Sequence, residues 1–402
     1  MKTLPLKYVA RVNAGQSPSS SEVSDLVAGR PFLQGNAEFR AISPSPRYEC
    51  ESAPKVASVG DILLSVRAPV GALNIADMPY GIGRGLCAIT AEGCNSRFLW
   101  WWLHHARARL DAVSTGSTYR AVTAEDVEAL PYPTLPESEQ HRIADFLDVE
   151  TARIARLESV REEQLNLLRH RAVAQLSEVE RILGDRYGTI PLRYMLIRCE
   201  QGWSPQCEDR HISDGEWGVV KAGCVNSGSF DVSQHKALPS GIEPRREYAL
   251  KEGDLLMSRA SGSTELIGSV GVVPHLREKM LLCDKVYRLV LDPTRGEPGF
   301  VSHMLRTQSV REHIKMGISG GEGLANNLPT SVVKSCLIPN VPVREQRGTA
   351  NSLEADSLVV ARTWSALRRS IDLLAERRQS LITAAVTGQF DVSTAGGRSV
   401  TE

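Results

Sequence analysis

The sequence predicts an α+β protein in which two similar globular domains are separated by two long antiparallel helices that form a coiled-coil spacer. Two observations lead to this prediction. The chain contains an internal repeat of long period, and each copy of the repeat ends in an amphipathic stretch of about 45 residues. With 402 residues, the chain is long enough for two or three domains that each bury a core.

The repeat consists of five pairs of matching segments that keep their order along the chain. One such match could arise by chance, but five in the same order indicate a duplicated unit. The offset between the copies drifts from 186 to 206, which indicates small insertions in the second copy. The matched segments are residues 4–8 and 190–194, 15–18 and 202–205, 60–65 and 253–258, 67–68 and 259–260, and 136–144 and 342–350.

The first part of each copy, residues 1–136 and 185–342, is predicted to be a compact α+β domain. Both segments are rich in glycine and proline and carry short apolar runs. The runs that follow Gly60-Asp61 and Gly253-Asp254 are typical of strands, whereas residues 97–110 and 299–315 are predicted to be equivalent helices.

The second part of each copy, residues 137–184 and 343–390, is predicted to be a long helix, and residues 391–402 form a tail. Pro136 and Pro342 precede the helices, and Gly184 and Gly388 are placed to end them. Apolar residues recur at steps of three and four, as in a heptad seam. One helix of roughly 68 Å cannot bury such a seam alone, so we expect the two helices to pair in antiparallel fashion.

Composition and charge exclude several classes of protein. The chain is 42% hydrophobic and 23% charged, which is unlike a disordered or a collagen-like chain. No stretch reaches the length of a membrane span and no signal peptide is recognisable, so the sequence predicts a soluble, cytoplasmic protein. The eight cysteines show no CxxC spacing, which favours reduced thiols and no metal site.

No catalytic constellation is recognisable in the sequence. A phosphate-binding GxxxxGK[ST] loop, a GxSxG nucleophile elbow, an amino-methyltransferase tetrapeptide and a nuclease-like carboxylate cluster are all missing from it. Two diverged domains held apart by a helical spacer suit a bipartite linear target. Duplex DNA is such a target, because recognition modules must meet its grooves at workable spacings.

The start of each long helix resembles the specificity (S) subunits of type I restriction–modification systems. The first copy reads Pro136-Glu137-Ser138-Glu139-Gln140, and the second reads Pro342-Val343-Arg344-Glu345-Gln346. The closing run, residues 373–388, is the most family-specific segment, and the resemblance covers residues 1–390. The second copy differs from the family pattern at Gly348 and Thr349, where a hydrophobic residue is expected.

The resemblance implies a non-catalytic subunit whose two target recognition domains each read one half of an asymmetric double-stranded DNA site. It further implies that two methyltransferase subunits bind the helices and that restriction subunits join them. S-adenosylmethionine, ATP and Mg²⁺ would be bound by those partners, and no cofactor by this chain. The helix positions expected to bind partners are Glu139, Gln140, Leu147, Ile154, Glu345, Gln346, Leu367 and Leu374.

The candidate DNA contacts are chosen by chemistry, because no family motif fixes them. Arginine suits guanine, asparagine and glutamine suit adenine, and hydroxyl groups and loop amides suit phosphates. The candidates are Gln16, Ser17, Arg67, Ser117, Thr118, Tyr119, Arg120, Ser204, Lys221, Arg259, Ser319, Gly320, Asn326 and Asn327. The Gly/Ser-rich loops could equally be solvated connectors, and Arg67 and Arg259 could instead pair with Asp61 and Asp254.

Two other functions fit the same pattern. A scaffold with two protein-binding heads and no DNA partner would agree with the balance of 47 basic and 47 acidic residues. The recognition subunit of a related system, in which methyltransferase and nuclease share one polypeptide, would differ little in sequence. No region is strongly basic, so a DNA-binding function requires locally arranged faces and partner subunits that neutralise phosphates.

Overall fold

The computed structural model describes residues 2–113, 121–319 and 326–392, and it divides into two units. Unit 1 comprises residues 1–162 and 369–402, and unit 2 comprises residues 163–368. Each unit contains one mixed α/β domain and a part of each of the two long helices, which contact each other. The predicted fold class is confirmed.

The domain of unit 1 is built on an antiparallel sheet of four strands, the main sheet of unit 1. Its strand order is Ala10–Ala14, Leu86–Ala91, Ile62–Ser65 and Leu73–Ile75. A second sheet contains Ser24–Asp25, Tyr48–Glu49, Pro31–Leu33, Tyr80–Ile82 and Val56–Ala57, and Thr3–Pro5 pairs with Pro131–Pro133. The helices of this domain are Ser96–Val113 and Ala124–Glu128, with 3-10 turns at Leu6–Tyr8 and Ser20–Glu22.

The helix Ser96–Val113 covers one face of this main sheet. Its apolar residues Phe98, Trp102 and Leu103 are buried in one cluster with Leu64 and Ile89 of the strands. The last turns of the second long helix contribute to the same core. The core of unit 1 therefore joins the sheet, the covering helix and both long helices, and removal of one of them would expose the others' apolar faces.

The domain of unit 2 repeats this architecture. Its main sheet has the strand order Leu196–Gln201, Val286–Leu291, Leu255–Ser258 and Val270–Val272. The other strands are His235–Ala237, Trp217–Val220 and Lys279–Leu281 in one sheet, Ala260–Ser261 with Asn326–Asn327, and Thr189–Pro191 with Leu337–Pro339. The helices are Pro298–Met304, Gln308–Met316 and Thr330–Ser335, with 3-10 turns at Leu192–Tyr194, Ala222–Val225, Arg246–Tyr248 and Thr264–Leu266.

Two local differences separate the copies. The register of the first strand shifts between Leu196 and Arg198, so the bulge supplies an extra residue that explains part of the drifting offset. The prediction of one helix over residues 299–315 is wrong, because two helices, Pro298–Met304 and Gln308–Met316, occupy this stretch. Thr307 separates them, since its backbone is extended and its hydroxyl donates to the carbonyl of Met304 at 2.8 Å.

The two long helices are Glu137–Tyr187 and Val343–Val386. The first runs through Gly184, which was expected to end it, and stops before Gly188, whose φ of 69° is left-handed. In unit 2 the helices run antiparallel: Gln175 donates to Asp356 at 2.7 Å, and the Tyr187 hydroxyl donates to Glu345 at 2.6 Å. Among the described residues, no helix is long and apolar enough to cross a membrane.

Candidate nucleic-acid interface

The two ends of each main sheet carry different kinds of residues. At one end, which we name the loop edge, lie Ala14 and Ser65 in unit 1 and Gln201 and Ser258 in unit 2. The opposite end, the distal edge, holds Ala10 and Leu196 with their neighbours. The candidate DNA contacts that can be located lie at or beside the loop edge in both units.

A glycine brings the first candidate loop, which is the Gly-x-Ser-Pro loop at residues 15–18 and 202–205, close to the loop edge in each unit. The amide of Gly15 donates to Leu86 O at 2.9 Å, and a β-carbon on Gly15 would lie 2.2 Å from Gly83 O. A β-carbon on Gly202 would likewise lie 2.1 Å from Leu282 O. Only glycine permits this approach of two backbones, which explains why both copies carry the glycine of Gly-x-Ser-Pro.

The side chains on this loop are differently held in the two units. In unit 1, the Ser17 hydroxyl accepts hydrogen bonds from Gln34 Nε2 at 2.8 Å and Arg84 Nε at 3.2 Å, and Gln16 is exposed. In unit 2, the Ser204 hydroxyl donates to the carboxylate of Asp284 and accepts from the Asp284 amide. The loop backbone is thus repeated while the polar groups it presents differ.

The residues that flank the second candidate loop, which is the Gly/Ser-rich loop, pair with residues at the loop edge in both units. In unit 1, Arg67 forms an isolated bridge with Ala121, and the Val122 amide donates to Val66 O at 3.0 Å. Residues 114–120 precede this bridge in the chain. The candidates Ser117, Thr118, Tyr119 and Arg120 lie outside the described residues.

The same connection is present in unit 2. Ala260–Ser261 pairs with Asn326–Asn327, the Leu328 amide donates to Arg259 O at 2.9 Å, and Ser319 exchanges backbone hydrogen bonds with Asn327. The structure therefore brings Ser319, Asn326 and Asn327 beside Arg259. Gly320 lies outside the described residues.

Arg67 and Arg259 are offset by one residue relative to the strand repeat. Ser65 and Ser258 occupy equivalent positions, so Arg67 is equivalent to Ala260, and Arg259 is equivalent to Val66. Because neighbouring residues of a strand face opposite sides, the two arginines differ in environment. Arg67 is exposed, whereas Arg259 is half-buried, with its guanidinium donating to Asp284 O at 3.1 Å and lying 5.8 Å from the Tyr287 ring centroid.

The proposed ion pairs of these arginines with Asp61 and Asp254 do not form. The Asp61 carboxylate accepts from the Ser58 amide and the Thr90 hydroxyl, each at 2.7 Å. The Asp254 carboxylate accepts from Arg288 at 3.2 Å and from the Lys251 amide at 2.9 Å. Both aspartates are therefore used within their own domains, and Arg67 is exposed.

A cavity of about 500 Å³ opens beside the loop edge of unit 2. Two of the candidates, Ser204 and Lys221, line it together with Lys236 and Lys285, which the sequence analysis did not select. Lys221 and Lys236 lie 3.1 and 3.6 Å from Asp209, and the hydrogen bond and charge of Lys221, then the charge of Lys236, lower the pKa of that carboxyl. Lys285 lies 3.5 Å from Asp284, so each lysine that lines the cavity has a carboxylate within 4 Å, and the cavity carries both signs of charge beside Ser204.

Trp203 and Arg245 form a further pair that the sequence analysis missed. The Arg245 guanidinium lies 4.8 Å from the Trp203 ring centroid, within the range of a cation–π contact. Trp203 precedes Ser204 in the Gly-x-Ser-Pro loop. Sequence could have indicated the aromatic ring in the loop, but not the arginine that is distant in the chain.

Four of the helix positions expected to bind partners are buried inside the chain and cannot form an outer surface, which corrects the prediction. Leu147 and Ile154 lie on the buried side of the first long helix. Gln140 and Gln346 are buried where each long helix begins, and each donates a hydrogen bond to a carbonyl of its own domain. Glu345 accepts from Tyr187. Glu139, Leu367 and Leu374 are partly exposed. Large apolar side chains that are instead exposed on the helices include Val149, Leu167, Val359, Trp364 and Leu373.

Known proteins are similar to this chain in part of its sequence and in its fold. A family model described as the type I restriction modification DNA specificity domain matches residues 3–167. A putative type I restriction enzyme MjaX specificity subunit of Methanocaldococcus jannaschii is 35% identical over 167 residues, which cover 39% of this chain and 39% of the relative. The EcoEI specificity subunit of Escherichia coli is 26% identical over 161 residues, or 40% of this chain and 27% of the relative.

The matched segments span less than two thirds of these curated relatives, whereas similarity of fold extends over nearly the whole chain. A chain from a study of complex assembly and conformational transition of the type I R-M system matches with a TM-score of 0.76 at 17% identity, covering 97% of this chain and 98% of the other. The HsdS subunit from Thermoanaerobacter tengcongensis matches with a TM-score of 0.52 at 17% identity, covering 97% of both chains. The chain is therefore similar to type I restriction–modification specificity subunits in sequence over residues 3–167, and to chains of type I R-M systems in fold over nearly its whole length.

Proposed function

We propose that this chain is the non-catalytic subunit that reads the DNA target of a type I restriction–modification system. The domains at residues 1–136 and 185–342 act as target recognition domains, and each reads one half of an asymmetric duplex site. The observation that carries this proposal is the repeated loop edge: in both units, the Gly-x-Ser-Pro loop and the residues that follow the Gly/Ser-rich loop meet at the same end of the main sheet.

The differences between the loop edges support two unlike half-sites. Unit 1 presents Gln16, Ser17 and Arg67, whereas unit 2 presents Ser204, Asn326 and a cavity with lysine side chains. Arginine and amide side chains form bidentate contacts with different base edges, and hydroxyl and ammonium groups contact phosphates. One scaffold that presents different groups in its two copies is suited to a site whose halves differ.

The neutral charge of the chain favours reading within an assembly. Basic and acidic residues balance at 47 each, so the isolated chain has no bulk attraction for phosphate. Two methyltransferase subunits, bound along the long helices, and restriction subunits that join them would close around the duplex. S-adenosylmethionine, ATP and Mg²⁺ would be held by those partners in the cytoplasm.

The decisive experiment is methylome sequencing of a strain with and without the gene. We expect the loss of one methylated motif with two separated, unlike halves. An electrophoretic shift with the co-expressed methyltransferase should then show a sequence-specific complex on a duplex that carries the motif. Loss of no motif together with no specific shift would support the alternative of a protein-binding scaffold.

A neighbouring-gene survey separates the remaining alternative. Separate methyltransferase and restriction genes beside this gene would support the three-subunit system. A single neighbouring gene that combines both activities would place the chain in the related system with a fused methyltransferase-nuclease. The proposed role in DNA reading is the same in both systems, so this survey decides only the partner.

A further inference from the structure

The strongest repeated surface feature of the two domains lies away from the loop edge. The segment Leu6-Lys7-Tyr8 returns as Leu192-Arg193-Tyr194, and both form a 3-10 turn directly before the first strand of the main sheet. In both, the leucine is fully buried, while the basic residue and the tyrosine are exposed. Tyr8 is 69% exposed and Tyr194 is 50% exposed, although tyrosine is a residue that usually buries most of its ring.

The two turns are held by the same backbone contacts. The Leu6 amide donates to Leu130 O at 2.9 Å, and the Leu192 amide donates to Cys336 O at 2.8 Å. Each leucine carbonyl then accepts from the residue three positions later, Val9 or Met195. The tyrosines are therefore displayed on rigid, equivalent supports, which lowers the entropy cost of contact with another molecule.

A cationic side chain lies over each exposed ring. Lys7 Nζ is 5.5 Å from the Tyr8 ring centroid, and the Arg193 guanidinium is 4.8 Å from the Tyr194 centroid. Both copies thus present the same combination of an aromatic face and a positive charge. We name this combination the aromatic–basic knob; it comprises Lys7 and Tyr8 in unit 1 and Arg193 and Tyr194 in unit 2.

The knob lies at the opposite end of the main sheet from the candidate DNA contacts. Ala10 and Leu196 begin the strands that end beside Gln16 and Ser204, so Tyr8 and Tyr194 adjoin the distal edge. Gln16 follows Ala10 by six positions, of which the strand Ala10–Ala14 forms the first part, and this is about 20 Å for an extended chain at 3.3 Å per residue. A duplex that lies on the loop edge is therefore not in contact with the knob of the same domain.

The knob is repeated, whereas the loop edges have diverged. Two unlike half-sites require different residues in the two copies, but two copies of one partner require the same surface twice. Tyrosine and arginine are also among the residues that most often dominate protein–protein contacts. We infer that the aromatic–basic knobs are docking sites for two copies of the same partner chain, one on each domain, through a pocket that accepts an aromatic ring and carries an acidic rim.

This inference rests on the proposed function, because the partner present in two copies is the methyltransferase subunit. The exposed apolar residues of the long helices offer that subunit one surface, and the knobs would add a second contact on each domain. The two contacts are distinguishable, because the knob can be removed without changing a helix residue.

The test uses the full chain co-expressed with the methyltransferase subunit encoded beside it. We expect Tyr8→Ala and Tyr194→Ala each to weaken one of two binding events by roughly tenfold to thirtyfold. In native mass spectrometry near the wild-type dissociation constant, each single variant should shift complexes from two partner copies to one. The double variant should be mostly free of partner, and Tyr8→Phe should retain binding, because the ring is kept.

Val27→Ala is the matched control, since Val27 is 86% exposed and follows the strand Ser24–Asp25 of the other sheet of unit 1. Thermal unfolding of each variant should match the wild type, because the substituted rings are exposed. A double variant that still binds two partner copies with wild-type affinity would overturn the inference. Partner binding by the wild type without any sequence-specific DNA shift would instead overturn the proposed function and leave the knob result standing.

Discussion

Gln140 Oε1 accepts the backbone amide hydrogen of Asn95 at 2.9 Å, and this contact ties the start of the first long helix to the start of the helix Ser96–Val113. The same side chain donates to Leu135 O at 2.9 Å and accepts from the Tyr132 hydroxyl at 3.1 Å. Gln346 repeats the arrangement in unit 2. It accepts from the Glu297 amide at 2.7 Å and donates to Val341 O at 2.8 Å.

Gln140→Ala is expected to destabilise unit 1 by about 2 kcal/mol, because a buried amide hydrogen and a carbonyl would lose their partners. Gln346→Ala should have a similar effect on unit 2. The measurement is chemical denaturation followed by circular dichroism. Gln175→Ala is the control, since Gln175 is exposed and donates only one described bond, to Asp356. Equal midpoints for Gln140→Ala and Gln175→Ala would contradict this role.

The glutamine pair also shows what the sequence could and could not predict. The repeat places Gln140 and Gln346 in equivalent positions, and that equivalence is confirmed by the two contacts that they share, one with a backbone amide before a helix and one with the carbonyl five residues earlier. Their burial was not predicted, because the partners Asn95 and Glu297 are about 45 to 50 residues away in sequence. A polar residue beside a helix start gives no local signal of whether it faces solvent or a neighbouring domain.

The main sheets and the long helices were accessible from sequence for a different reason. Strand runs after Gly-Asp turns and an apolar seam over many turns are local signals that add up along the chain. The end of the first long helix was misplaced, because Gly184 and Gly188 are both compatible with a C-terminal cap. Only the backbone angle of Gly188 distinguishes them.

Repeated side chains are harder to align than repeated strands. Arg67-Ala68 and Arg259-Ala260 match in sequence, yet the strand pairing makes Arg67 equivalent to Ala260, one residue further along. A shift of one position moves a side chain to the opposite face of the strand, so Arg67 is exposed and Arg259 is half-buried. The sequence could therefore place these candidates in one region relative to the main sheet, whereas their individual orientations required the register, and their contact with DNA stays a prediction.

Arg288→Met is expected to destabilise unit 2 by about 3 kcal/mol at pH 7, because it removes the partner of two carboxylates. Arg288 is buried and donates to Glu200 at 2.6 Å, to Asp254 at 3.2 Å and to two backbone carbonyls. Urea denaturation at pH 7 measures the loss. Arg30→Met is the control, since Arg30 pairs with Glu51 at a more exposed position.

The pH dependence of the same variant provides a second prediction. Burial raises the pKa of Glu200, but hydrogen bonds from Arg198 and Arg288 outweigh burial and leave it below the usual 4.5. A carboxyl whose folded pKa is lowered stabilises the fold above its unfolded pKa and loses that contribution as the pH falls. The stability difference between wild type and Arg288→Met should therefore shrink below about pH 4.5. A difference that stays constant down to pH 3 would contradict it.

Gly202→Ala is expected to impair DNA reading by unit 2. The added β-carbon would lie 2.1 Å from Leu282 O and would push the Gly-x-Ser-Pro loop off the loop edge. A shift assay with the assembled complex should show roughly tenfold weaker binding to the target, which corresponds to about 1.4 kcal/mol of binding free energy. Gly262→Ala is the matched control, because a β-carbon there meets nothing within 4 Å. Equal affinity of the two variants would remove this loop from the interface.

Arg67→Ala is expected to weaken binding of the assembled complex to its target, because Arg67 is exposed beside the loop edge of unit 1. Arg120→Ala should act on the same half-site if the loop that carries it contacts DNA. A contact with phosphate would reduce the slope of log affinity against log salt by about one, whereas a contact with a base would cost about 1 to 3 kcal/mol on the cognate half-site alone. Titrations at several salt concentrations, on duplexes altered in one half at a time, separate these results.

Arg11→Ala is the control, since Arg11 lies on the same main sheet near the distal edge and pairs with Glu92 at 2.9 Å. If Arg67→Ala and Arg11→Ala have the same affinity and salt slope, Arg67 takes no part in reading DNA.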